Sequence, residues 1–302
     1  MSQNRSIGIE KHRAVPPLHT LPEQVLNSLL YSSVFISCCG FCLTVETYKL
    51  AKLPVSLPMA LFVFLATLFT YNLSSVQSLL RRPQQRKSKQ SDAWAQRHKK
   101  SMALLGLVSI SAAAGLYFYF DLHINRWLML HLALISIGYT VPVGYKSRKV
   151  RPLRSVPLLK VFLIAYVWAV VTALFPLMDT GLQVWAHQAL LLFARRFLFI
   201  LALALLFDIR DYTYDRSTNT LTFPGLMGVR NTKLLSLVLL LLYVIISVST
   251  ETGPVQIALV ASGLSSALVV FFSSEHKPRI YYALLADGAM LLHAGLIYLT
   301  LR

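Results

Sequence analysis

The sequence predicts an all-α membrane protein whose chain crosses the bilayer nine times. The chain is 56% hydrophobic and only 14% charged, with a mean hydropathy of +0.59, whereas soluble domains carry about 25% charged residues. A window of about 20 apolar residues is long enough to cross the hydrocarbon core as a helix. Nine predicted spans follow one another along the chain, at 25–48, 54–80, 102–120, 126–143, 156–178, 194–211, 233–250, 254–273 and 280–300.

The positive charges are unevenly distributed and predict the topology. Most of the 29 Lys and Arg residues lie in the N-terminal tail and in the segments 81–100, 145–154, 208–233 and 277–279. These segments alternate with weakly charged connections, which is the positive-inside pattern. We therefore expect an integral protein of the bacterial cytoplasmic (inner) membrane, with its N-terminus in the cytoplasm and its C-terminus outside. The net charge of +17 reflects topology and attraction to anionic lipid headgroups, and we expect no nucleic-acid partner.

The predicted organisation is a cytoplasmic tail followed by one transmembrane domain. The tail covers residues 1–24 and the domain covers 25–302, with cytoplasmic loops at 81–101, 144–155 and 208–232. The tail lacks the apolar run and cleavage site of a signal peptide, so we expect it to be retained. The three cysteines all lie within the first span, and they indicate neither a disulfide framework nor a zinc site.

Three acidic residues lie at the end of the sixth span. Asp208, Asp211 and Asp215 are spaced at i, i+3 and i+7, which places them on one face of a helix. Unpaired carboxylates at the edge of a membrane span are costly, so a cation or a phosphate-bearing ligand is expected there. Mg²⁺ is the natural candidate, because it binds carboxylate and diphosphate oxygens together.

Basic residues are predicted on the same side of the membrane as these acids. Tyr139, Lys146 and Arg148 follow the fourth span, and Arg210 and Arg216 flank the acids. Carboxylates that hold Mg²⁺, beside basic side chains that clamp phosphate oxygens, form a site suited to a diphosphate. The alternative is that the acids only pair with nearby Arg and Lys residues at a wet membrane surface.

These motifs resemble those of the UbiA superfamily of intramembrane prenyltransferases. The second acidic motif of that family, DxxDxxxD, is similar to the Asp208–Asp215 segment. Other matches are the Thr-x-Pro and Gly pattern before span seven and the Tyr-x-x-Pro and basic segment after span four, at Thr222, Pro224, Gly228, Tyr139, Pro142 and Lys146. The resemblance implies nine helices around a central cavity open to the cytoplasm, and transfer of a polyprenyl group from its diphosphate to an aromatic or lipid-soluble acceptor.

The resemblance also implies roles for individual residues. Asp208, Asp211 and Asp215 would hold Mg²⁺ and Tyr139 would line the reacting end. The diphosphate would be bound by Asn72, Lys146, Arg148, Arg210 and Arg216.

The first acidic motif of the family is degenerate in this chain. Asn72 is kept, but the positions expected to hold acids are Leu73, Val76 and Leu80. The chain can therefore supply protein ligands for one Mg²⁺ ion rather than two. Two readings remain open: a prenyltransferase that works with one ion, or a non-catalytic homologue that binds isoprenoid lipids. A small-solute transporter is disfavoured, because the charged residues gather at one face rather than near the midplane.

Some polar residues fall inside or close to the predicted spans. Glu46 is expected to pair with Lys49 three residues later, and Arg195 and Arg196 are expected to snorkel at the outer end of span six. Asp287 either faces the cavity or bonds a neighbouring helix. Residues 181–193 are expected to form an interfacial helix that leads into span six.

Overall fold

The computed structural model describes residues 29–30, 32–81, 97–140, 158–217 and 220–301, except for the side chains of 77–81, 139–140 and 279. All regular structure within these ranges is helical. The helices are α1 (Val34–Leu50), α2 (Leu57–Arg81), α3 (Lys99–Tyr119), α4 (Arg126–Thr140), α5 (Leu159–Asp179), α6 (His187–Ser217), α7 (Phe223–Thr250), α8 (Gly253–Phe271) and α9 (279–300).

Each of the nine predicted apolar windows coincides with one of these helices. Seven of them are long and apolar enough to cross a membrane by length and composition. The other two, α1 and α4, are shorter, at 17 and 15 residues. The all-α membrane fold is thus confirmed, while the crossing count of nine stays a prediction.

Helix α6 is the core of the bundle. Residues 199–206 are all buried, as expected for a helix that is apolar on every side and packed among other helices. It packs chiefly on α5 and α7. Further contacts join α7 to α8, α8 to α9, α9 to α1, α1 to α2 and α2 to α3. One interhelical bond in this core joins Ser236 Oγ to the carbonyl of Ala202 over 2.7 Å.

The structure changes several predicted boundaries. Helix α6 begins at His187 and is continuous for 31 residues, so the predicted interfacial helix over 181–193 is not separate. At 1.5 Å per residue, α6 is about 46 Å long and exceeds the roughly 30 Å hydrocarbon core. The predicted loop 208–232 is mostly helical, because α6 ends at Ser217 and α7 begins at Phe223. The tail 1–24, the loop 144–155 and most of 81–101 lie outside the described residues.

Two helices contain a π-helical turn, at Val170–Leu174 in α5 and Tyr282–Ala286 in α9. Such turns leave backbone carbonyls in need of other donors and are frequent at functional sites. In α5, the hydroxyl of Thr47 donates to the carbonyl of Thr172 over 2.7 Å. In α9, the turn comes directly before Asp287.

A buried ionic cluster lies in the half of the bundle that is far from Asp208. Arg196 on α6 pairs with Glu46 on α1 over 2.7 Å, and His293 on α9 lies 3.0 Å from the other oxygen of Glu46. The predicted pairing of Glu46 with Lys49 is therefore wrong. Arg196 does not snorkel either, because it finds its counter-charge inside the bundle.

Candidate functional site

The acidic residues of α6 lie on its last three turns, at what we call the acidic end of the bundle. The first turns of α5 and of α7 also lie at this end of the bundle. Asp208 and Asp215 are buried, whereas Asp211 is half-buried. Carboxylates buried in a membrane protein need compensating charge or ligands, because their desolvation is costly.

Asp208 is paired with a lysine that the sequence analysis did not single out. Lys160 Nζ on α5 lies 2.7 Å from Asp208 Oδ1. The lysine side chain is 22% exposed and the aspartate 2% exposed. The pair is therefore a charge-assisted hydrogen bond whose acidic partner is shielded from solvent, where such bonds are strong.

Lys160 was missed because its partner is 48 residues away in sequence. The contact between Lys160 and Asp208 can instead be inferred from the order in which the spans cross the membrane. The start of one span and the end of the next lie at the same membrane face, so a lysine opening α5 meets acids closing α6 when the two helices pack together.

Asp211 is held by its neighbour in sequence. Arg210 donates two hydrogen bonds to Asp211, from Nε over 2.9 Å and from Nη2 over 2.7 Å. The guanidinium also lies over the ring of Phe207, 4.9 Å from the ring centroid, and within electrostatic range of Asp287 on α9. Arg210 is thus fixed by a bidentate ion pair and an aromatic face.

The start of α7 packs beside Lys160. Pro224 occupies the first turn of the helix, where a missing N–H costs nothing. The ring of Phe223 meets that of Phe162 on α5, with centroids 6.0 Å apart. At Gly228 the backbone leaves helical geometry with φ 82°, a conformation that glycine adopts without strain. The Thr-x-Pro and Gly pattern therefore builds a short helical turn, a kink and then the long span.

Two buried polar side chains, one on α2 and one just before α7, have no hydrogen-bond partner. Among the described residues they are Asn72, at both its oxygen and its nitrogen, and Thr222 at its hydroxyl. Buried polar atoms are nearly always satisfied by protein, water or ligand. Asn72 packs against Gly106 of α3, and the adjacent Tyr71 accepts a hydrogen bond from Trp168 of α5 over 3.2 Å.

The remaining predicted site residues are only partly described. Arg216 is exposed in the last turn of α6. Tyr139 lies in the last turn of α4, with only its backbone described, and Lys146 and Arg148 lie outside the described residues. The roles assigned to these four residues stay predictions, as do those assigned to Asn72, Asp208, Arg210, Asp211 and Asp215.

The acidic end does not contain a preformed cage for a metal ion. Within the described ranges, no three acidic, histidine or cysteine side chains converge closely enough to hold one. Mg²⁺ does not require such a cage, because it is commonly bound by one or two carboxylates together with substrate phosphates and water. The carboxylates of α6 therefore fit a Mg²⁺ ion that arrives with a diphosphate.

The sequence matches no protein-family model and no curated protein. A UbiA homologue from Archaeoglobus fulgidus, solved with GPP and Mg²⁺, is similar in structure with a TM-score of 0.57 and 12% sequence identity, covering 92% of this chain and 97% of that one.

Two further structures are similar over nearly the whole chain. A UbiA homologue from Aeropyrum pernix K1 gives a TM-score of 0.52 at 16% identity, covering 88% of this chain and 96% of that one. A digeranylgeranylglyceryl phosphate synthase gives 0.51 at 15% identity, covering 92% and 97%. The chain thus has the fold of the UbiA homologues, as its motifs predicted.

Proposed function

We propose that this protein is a Mg²⁺-dependent prenyltransferase of the membrane. It would take a prenyl diphosphate and a lipophilic acceptor, aromatic or otherwise lipid-soluble. The observation that supports this most directly is the acidic end of α6, where Asp208 is buried against Lys160. Charge buried at a membrane surface is costly, and ionisable residues in such places often mark a ligand site. The fold shared with a homologue solved with GPP and Mg²⁺ supports the same assignment.

The transfer requires few groups from the protein. The bond between the first prenyl carbon and the diphosphate oxygen breaks, and diphosphate leaves with the electron pair. The same carbon bonds to the acceptor, which releases a proton. A bound Mg²⁺ would supply electrostatic stabilisation of the leaving diphosphate.

The residues of this chain would orient and neutralise the substrate. Asp208, Asp211 and Asp215 are the proposed Mg²⁺ ligands, and Arg210, Arg216, Lys146 and Arg148 the proposed phosphate clamps. Asn72 would add a neutral oxygen, and its two unpaired atoms in the interior are in keeping with a ligand-binding role. Tyr139 would line the reacting end.

The test is diphosphate release from the purified full-length protein in detergent or nanodiscs. Prenyl diphosphates of increasing length are supplied with quinone-type and other aromatic acceptors, in Mg²⁺ or in EDTA. We expect release that needs both Mg²⁺ and acceptor and that falls at least about a hundredfold in Asp208→Asn, as when a key electrostatic group is removed.

A matched control is Asp121→Asn. Asp121 is exposed in the connection between α3 and α4 with φ 49°, a conformation that Asn also tolerates. This variant should keep wild-type activity. Tight Mg²⁺-dependent binding of the prenyl diphosphate without turnover would instead identify a non-catalytic isoprenoid-binding protein. No binding of any prenyl diphosphate would contradict both assignments.

A further inference from the structure

The position of Lys160 bears on how this site neutralises a diphosphate. A prenyl diphosphate carries two to three negative charges near neutral pH, so its site needs several positive charges close together. Two Mg²⁺ ions held by two acidic motifs would meet that need. In this chain α2 contains no Asp or Glu anywhere from Leu57 to Arg81, so this helix supplies no carboxylate for a second ion.

Two basic side chains of this protein contact the carboxylates of α6. Lys160 contacts Asp208 over 2.7 Å, and Arg210 contacts Asp211 over 2.7 Å. These cations offset two of the three carboxylate charges on α6. A second divalent ion would need further carboxylates to hold it, and α2 supplies none.

The two cations differ in how they are held. Arg210 is restrained by two hydrogen bonds to Asp211 and by the ring of Phe207. Lys160 has a compact ammonium on a flexible stem, with three donors that can be redirected by rotation. Its side chain is 22% exposed although Asp208 is 2% exposed. The ammonium is therefore on a side chain that solvent reaches in part, while the carboxylate that it contacts is buried.

We propose that Lys160 is a diphosphate-binding residue that takes the place of a second metal ion. This inference rests on the proposed function. In the absence of substrate, Lys160 neutralises Asp208. When a prenyl diphosphate binds with a single Mg²⁺ ion, the ammonium donates to a diphosphate oxygen.

The competing explanation is that Lys160 only compensates Asp208 and never contacts substrate. A double-mutant cycle separates the two explanations. The four proteins are wild type, Lys160→Met, Asp208→Asn and the double variant. Asp215 is also within electrostatic range of Lys160, so the cycle is repeated with Asp215→Asn added to both Asp208→Asn proteins. If Lys160 serves only these acids, its removal costs nothing once they are neutral. If it binds diphosphate, its removal weakens binding in every background.

The measurement is the affinity for a non-hydrolysable prenyl thiodiphosphate, by calorimetry on full-length protein in detergent with Mg²⁺ present. We expect Lys160→Met to weaken binding about tenfold or more in every background, the value of a charge-assisted hydrogen bond. Lys160→Arg should bind within a few-fold of wild type. Binding of the uncharged prenyl alcohol should not change. Lys100→Met, at an exposed lysine in the first turn of α3, is the control and should leave the affinity unchanged.

A second measurement counts the ions. Titration with Mn²⁺, followed by electron paramagnetic resonance in the presence of the analogue, should give one ion per chain. Two ions per chain, or an unchanged affinity for Lys160→Met in the Asp208→Asn background with or without Asp215→Asn, would overturn the role of Lys160 and leave the proposed function standing. A wild-type protein that binds the analogue no better than the prenyl alcohol would overturn the proposed function itself.

Discussion

Arg196 on α6 donates from Nη2 to Glu46 Oε2 on α1 over 2.7 Å, although the two residues are 150 positions apart in the chain. Their side chains are 4% and 1% exposed. His293 on α9 lies 3.0 Å from the second oxygen of Glu46. One carboxylate thus connects three helices in a region that has little solvent to screen charge.

We predict that Glu46→Gln destabilises the protein by about 3 kcal/mol or more, because the Arg196 guanidinium is then buried without a counter-charge. The measurement is thermal or denaturant unfolding in detergent. The double variant Glu46→Leu with Arg196→Met should regain most of the lost stability, since it removes both charges. A double variant less stable than Glu46→Gln would show that packing, not charge, explains the loss.

The matched control for Glu46→Gln is Glu251→Gln. Glu251 pairs with Arg195 over 3.0 Å, yet it is 27% exposed at the end of the bundle away from the acids. Arg195 is itself 5% exposed, but it keeps Thr250 Oγ1 as a partner at 3.4 Å and water reaches the Glu251 side of the pair. We therefore expect a smaller cost than for Glu46→Gln. An equal loss in the two variants would contradict the burial argument.

A second prediction concerns Tyr243 on α7. Its hydroxyl lies 3.1 Å from Ser262 Oγ on α8, and Ser262 lies 2.8 Å from His293 Nδ1 on α9. Tyr243→Phe keeps the buried ring but removes the hydroxyl that joins these helices. We expect a loss of about 1 kcal/mol in unfolding free energy, typical of a buried hydrogen bond. Tyr298→Phe, at an exposed tyrosine, should be neutral.

A third prediction tests the close approach of α7 and α8. A Cβ atom added at Gly263 would lie 2.7 Å from Val244 Cγ2, nearer than van der Waals contact allows. Gly263→Ala should therefore cost about 1–3 kcal/mol through overpacking. Adding Val244→Ala should recover part of this loss. Gly295→Ala, where nothing lies within 4 Å, should be neutral or stabilising because alanine favours helix.

The apolar spans were predictable because membrane helices must satisfy their backbone hydrogen bonds internally and show long apolar runs. The shared face of Asp208, Asp211 and Asp215 follows from helical periodicity alone. The partners of charged residues could not be predicted in the same way. Glu46 has Lys49 within reach on its own helix, but the structure pairs it with Arg196, since burial of both groups makes the distant pair stronger.

The partner of Lys160 and the length of α6 could not be predicted from the sequence either. Nothing local to Lys160 indicates Asp208, because the contact depends on how α5 and α6 pack. The charged sequence after residue 207 resembles a loop by composition, and so the predicted boundary came too early. The helix continues because its carboxylates are compensated by ion pairs. Arg210 pairs with Asp211, and Lys160 pairs with Asp208.

A final prediction tests whether α2 lines the site. Val76→Asp combined with Leu80→Asp restores two carboxylates at positions where the resemblance to the prenyltransferases expects acids. Carboxylates are the ligands that Mg²⁺ prefers, so we expect the number of Mn²⁺ ions bound with the thiodiphosphate analogue to rise from one to two. Val76→Asn with Leu80→Asn has side chains of the same size but no charge, and it should bind one ion. If the aspartate variant folds and also binds one ion, this face of α2 points away from the diphosphate. The absence of acids from α2 would then say nothing about the number of metal ions.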